Sequence, residues 1–170
     1  PPDIPFHDEA YDYNELKDRK NDIRYLEAVT DLGNPVAMYR AGRYYLEQDY
    51  DPDEALHWFK LAADHGNELA MYQIYKGYRD GKFTENNSDK IRYLRMAVDA
   101  KFGFAEYEYA KIQDKMHADT KLEYLKRAVE HGCTQAIYAL GRICYDEGKL
   151  DDAVDYFEKA ARRDPAARTY

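Results

Sequence analysis

Four tyrosines each stand four residues ahead of a basic residue: Tyr39/Arg43, Tyr72/Lys76, Tyr107/Lys111 and Tyr138/Arg142. In a helix that spacing puts both side chains on one face. Each pair offers a hydroxyl beside a positive charge, the chemistry that receives a carboxylate or phosphate through charge-assisted hydrogen bonds. A second reading competes. Three of the bases have an acid four residues further on, Glu47, Asp80 and Asp146. These would be ordinary helix-surface ion pairs, worth about 0.3 kcal/mol each. Lys111 has Lys115 at that spacing instead and escapes this reading.

No catalytic set accompanies these residues. The sequence holds no phosphate-binding glycine loop, no H-E-x-x-H, no paired C-x-x-C and no serine elbow. His57 and His65 lie eight residues apart, too far along one helix to share a metal. The 33 carboxylates are spread along the chain and read as solvated faces and caps. No catalytic residue, metal site or cofactor is therefore expected. His65-Gly66 and His131-Gly132 occupy equivalent places, where a histidine in a last helical turn suits the helix dipole. Asn86-Asn87-Ser88 fits a glycosylation acceptor but reads first as a polar loop with Ser88 as a helix cap.

The elements that must position the tyrosines are clearest near the C-terminus, in AIYALGRICYDEGKLDDAVDYFEKAARRDP, residues 136–165. Ile137, Leu140, Gly141 and Cys144 fall at i, i+3, i+4 and i+7, one face of a helix. Gly141 lets another helix approach. EGKLDD supplies a turn, with Asp151 or Asp152 as the cap of a second helix. That helix carries Ala153, Phe157 and Ala160 and stops at Asp164-Pro165.

Leu140, Gly141, Ala153, Phe157, Ala160 and Pro165 resemble the tetratricopeptide repeat, with Ile137 in place of its first large aromatic. The segment Ala62-Ala63-Asp64-His65-Gly66-Asn67-Glu68-Leu69-Ala70 resembles the sister Sel1-like family. Four units align on Ala37, Ala70, Ala105 and Ala136, each followed two residues on by a tyrosine. Their second helices align on Trp58-Phe59, Tyr93-Leu94, Tyr124-Leu125 and Tyr156-Phe157. The family's helix-contact glycine is Gly42 and Gly141 in the outer units but Tyr75 and Ala110 in the inner two.

The resemblance implies an all-α fold, a right-handed α-solenoid of helix-turn-helix repeats. It divides the chain into a polar extension or poor capping helix (1–20) and the second helix of an incomplete leading repeat (21–33). Four repeats follow (34–66, 67–101, 102–132, 133–165), and residues 166–170 would begin a fifth. Pro35 at a first helical position, Asp51 as a cap before Pro52, and Asp119 as a cap mark helix starts. The resemblance also implies that the tyrosine–base face of each first helix lines a concave groove.

Composition sets bounds. Net charge is −8, which argues against broad nucleic-acid binding. No stretch reaches the roughly 20 apolar residues of a membrane helix. The 18 tyrosines suit inter-helix gaps with hydroxyls at the rim. Cys133 and Cys144 lie 11 residues apart on one expected helix. That is about 16 Å along the axis, beyond the roughly 7 Å a disulfide spans, and it suits a reducing compartment. The expected function is a protein-interaction module that takes a protein or peptide, an acidic segment in particular, in the groove. The alternative is a scaffold section or self-associating unit, with oligomeric state left open. An enzyme or small-ligand binder ranks last.

Overall fold

The computed structural model describes residues 33–84, 86–112 and 118–163. Among them are eight α-helices and no strand: α1 Pro35–Glu47, α2 Pro52–Asp64, α3 Glu68–Arg79, α4 Asn87–Asp99, α5 Gly103–Ile112, α6 Ala118–Glu130, α7 Thr134–Asp146 and α8 Leu150–Arg163. The extension at 1–20, most of the leading partial repeat, Pro165 and residues 166–170 lie outside the described residues.

Local chemistry starts the helices. The Asn34 side chain accepts from the Val36 and Ala37 N–H groups, with Pro35 pre-set at the first position. Asp51 accepts from Glu54 N at 3.0 Å, as its sequence context predicts. Asn67 accepts from Ala70 N at 2.8 Å, and its amide reaches the Pro35 carbonyl at 3.4 Å, joining the starts of α3 and α1. Three expected caps need correction. Asn86, not Ser88, caps α4, accepting from Asp89 N at 3.0 Å. Asp119 lies inside the first turn of α6, and Asp151 and Asp152 inside that of α8. There they favour the helix dipole without capping.

The second helices α2, α4 and α6 end alike. The chain turns left-handed at Gly66 (φ 87°), Lys101 (φ 60°) and Gly132 (φ 87°). Asn67 N then donates to Ala62 O, Phe102 N to Ala97 O and Cys133 N to Ala128 O. These bonds satisfy carbonyls that the helix leaves open. One conformation, set once per hairpin pair, fixes the angle at which each next helix departs.

Each helix packs chiefly against its neighbours in the chain, α1 on α2 through to α7 on α8. This nearest-neighbour order is that of a solenoid. Ala37, Ala70, Ala105 and Ala136 are all buried and bring the helices close. One apolar cluster lies under α1–α4 and includes Ala105, and a second lies under α5–α8; Tyr124 packs against both.

The outer hairpins close as their glycines predict. A Cβ on Gly42 would meet the Phe59 ring at 2.6 Å, and one on Gly141 the Phe157 ring at 2.7 Å. The second hairpin closes differently. Tyr75 points to α5, where its hydroxyl donates to Glu108 Oε2 at 3.2 Å. Phe83, from the loop after α3, covers Gly77 instead, where a Cβ would sit 2.0 Å from its ring.

Candidate functional site

The tyrosine–base pairs sit on α1, α3, α5 and α7, the first helix of each hairpin. Tyr39 is half-buried, its ring centroid 5.8 Å from Phe59 and its hydroxyl 3.5 Å from Gln73 Nε2 of α3. Tyr72 packs among Tyr75, Phe102 and Phe104, with centroids 6.0, 5.2 and 6.3 Å away. Tyr107 is half-buried against the second cluster. Tyr138 is 57% exposed, though its ring still lies 5.3 Å from Phe157. Tyr39 and Tyr138 thus pack within their own hairpins while Tyr72 reaches the next repeat, and exposure is greatest at α7.

The bases divide. Arg43 forms a bidentate ion pair with Glu47, its shortest contact 2.7 Å, as the helix-surface reading expects. The other two expected pairs are not among the ion pairs of the described residues. Asp80 is held by Arg79 at 2.8 Å, and that hydrogen bond draws its carboxyl below the usual range. Lys76 Nζ lies 5.9 Å from the centroid of the Tyr72 ring, and Lys111 Nζ 5.2 Å from that of Tyr107. Arg142 is exposed, with no ion pair among the described residues.

Two buried carboxylates, neither singled out by sequence, organise this face at α5. Glu108 receives the Tyr75 hydroxyl, Lys111 Nζ at 3.2 Å and Arg79 Nη1 at 3.4 Å. Burial, then the Glu108 charge, pushes the phenols of Tyr72 and Tyr75 up to about 12, so both remain hydrogen-bond donors. Glu106 is fully buried one residue after the anchor Ala105, where the other units carry Met38, Met71 and Ile137. Its Oε2 lies 2.6 Å from His131 Nδ1. Arg127 Nη2 approaches Oε1 at 2.8 Å as an ion pair without hydrogen-bond alignment. His131 therefore serves Glu106, whereas His65 keeps the expected helix-end role with Nδ1 2.9 Å from the Leu61 carbonyl. A signal was present in the sequence: an acid stands where the repeat register requires an apolar residue.

Cys133 is buried at the N-cap of α7, Cys144 is half-buried, and both are free thiols. Burial pushes the Cys133 thiol up. Among the described residues no cluster of His, Cys, Asp or Glu could hold a metal, and no helix is long and apolar enough to cross a membrane.

Stacked hairpins with a repeated side-chain pattern define an all-α repeat solenoid. The Sel1 repeat family matches the chain at residues 28–67 and the tetratricopeptide repeat family at 134–167. It is similar to a Sel1 repeat protein from Oxalobacter formigenes, at 27% identity and TM-score 0.71 over 91% of this chain and 70% of that one. A protective antigen of uropathogenic Escherichia coli with an SLR fold matches at 23% identity and TM-score 0.64, over 80% and 32% of the two chains. An immunity protein from Pseudomonas aeruginosa matches at 20% identity and TM-score 0.59, over 76% and 52%. The last two bear on the fold alone. No curated protein matches the chain.

Proposed function

We propose that the chain is a protein-interaction module that docks a protein or peptide segment along the tyrosine–base face of α1, α3, α5 and α7, and that the segment is acidic. Repeats of the Sel1 and tetratricopeptide kinds are generally protein-interaction modules and typically non-enzymatic. The observation that carries the finer reading is the placement of Lys76 and Lys111 over the Tyr72 and Tyr107 rings. Lys76 makes no ion pair among the described residues, and Lys111, which gives one bond to Glu108, keeps further ammonium protons for an incoming carboxylate. Arg142 and the exposed Tyr138 extend the same chemistry to α7.

The test replaces Lys76 and Lys111 together by Glu and compares affinity capture with the wild-type chain. Tyr72 is left intact because it packs on Phe102. A partner held by wild type and lost from K76E/K111E, with unchanged circular dichroism, is the expected result. A partner held equally by both sinks the docking face.

A second reading, a scaffold section or self-associating unit, draws on α8. Leu150 and Val154 are 58% and 54% exposed there, on one stripe with Phe157 and Ala161. Light scattering over a dilution series separates the two: a constant monomer mass counts against self-association.

A further inference from the structure

The loops after α3 and after α7 hold corresponding places in the repeat register, aligned on Ala70 with Ala136 and on Tyr93-Leu94 with Tyr156-Phe157. The first spans residues 80–86 and the second only 147–149. In the first, Phe83 turns inward and is 5% exposed, its centroid 5.7 Å from Tyr78 and 6.5 Å from Phe59. The shorter loop delivers no such ring. A cavity of about 290 Å³ opens there between α6, α7 and α8, lined by three lysines and three carboxylates and by Leu122, Leu140, Ile143, Cys144 and Tyr156. Their counterparts in the repeat register are Leu56, Ile74, Gly77, Tyr78 and Tyr93, which share one apolar region with Phe83, and Gly77 and Tyr78 lie directly against its ring. Cys144 for Tyr78 removes one ring and the missing Phe83 a second, while Ile143 for Gly77 returns only part of that volume.

The charges differ in the same way. Lys60 pairs with Asp89 at 3.4 Å across α2 and α4. The residues in register are Lys126 and Asp152, both lining the cavity, and Lys126 makes no ion pair among the described residues. The volume falls at the low end of ligand pockets, which run from roughly 300 to 1,000 Å³. It suits one or two inserted side chains.

We propose that this cavity is a socket for an aromatic side chain of a partner polypeptide, with an adjacent acidic residue meeting Lys126, in the manner that Phe83 packs against α2 and α3 at the corresponding place. The socket lies apart from the tyrosine–base face, so either site can fail without the other.

The test uses the whole chain and a hexapeptide of residues 81–86, GKFTEN, which carries the phenylalanine and an acid two residues on. Methyl NMR is recorded during titration with GKFTEN and with GKATEN. The expected result is saturable shifts at Leu122, Leu140 and Ile143 with GKFTEN, in the millimolar range, and none with GKATEN. Cys144→Tyr, which restores the ring found at Tyr78, abolishes them. Should that variant not fold, alkylating the half-buried Cys144 of wild type with N-ethylmaleimide gives the same block, because Cys133 is fully buried. Equal shifts from both peptides, shifts that survive the block, shifts confined to the tyrosine–base face, or no shift well above millimolar peptide would each overturn the proposal.

Discussion

Phe83 covers Gly77 so closely that a Cβ there would come within 2.0 Å of the ring. A loop residue thereby does for the second hairpin what Phe59 and Phe157 do from within α2 and α8 for the outer ones. Gly77→Ala forces ring or helix to move and is expected to cost about 1–3 kcal/mol. Phe83→Ala empties the site and is expected to cost about 3–5 kcal/mol. Because the two residues share one contact, G77A/F83A costs less than the sum of the single changes. Urea unfolding of the four proteins measures this, and strict additivity would contradict the contact.

Glu106 gives an asymmetric pair of expectations. Glu106→Met installs the residue that the first two units carry at this place as Met38 and Met71. A buried ion pair replaced by an apolar side chain of similar size is often neutral or stabilising. Arg127→Ala instead leaves a fully buried carboxylate with His131 alone and is expected to cost about 3–5 kcal/mol. Equilibrium denaturation distinguishes them; equal losses would mean that Glu106 contributes more than filled space.

Lys101 occupies a left-handed turn that its counterparts Gly66 and Gly132 adopt without a side chain. Lys101→Gly removes strain of roughly 1–2 kcal/mol but increases the entropy lost on folding by roughly 0.5–1 kcal/mol. A small rise in Tm is expected. Gly66→Ala and Gly132→Ala run the other way, each by about 1 kcal/mol or more. A fall in Tm on Lys101→Gly would mean that Lys101 makes a contact outweighing its strain.

The phenols of Tyr72 and Tyr75 are raised from 10.0 to about 12. The folded state therefore holds these protons more tightly than the unfolded chain. The resulting stability is fully present below pH 10 and is lost as pH rises from about 10 to 12. Tyrosinate absorbance followed against pH, beside circular dichroism, should show Tyr72→Phe removing a late-titrating phenol. An unchanged titration curve would contradict the shift.

The pattern of small and large apolar residues determined the architecture on its own. Alanines at matching places, aromatics in each second helix and the Asn34-Pro35 and Asp51-Pro52 starts are local signals. In a solenoid, local order and neighbour packing are nearly the whole fold. The tyrosine–base spacing was equally legible, because helix geometry alone puts residues i and i+4 together.

What tertiary structure decided is how those side chains are spent. Spacing permits Lys76 to meet Asp80, yet Arg79 holds Asp80 and Lys76 lies over Tyr72. Spacing permits His131 to end a helix as His65 does, but Glu106 reaches it from another helix, 25 residues away. Phe83 sits in a loop with no periodicity to announce it, and its burial depends on Gly77 and on the neighbouring hairpin's Phe59. Local sequence fixes the angle of a side chain on its own helix. Which of several reachable partners it takes depends on helices brought near by folding, and on competition among them for the same buried space and charge.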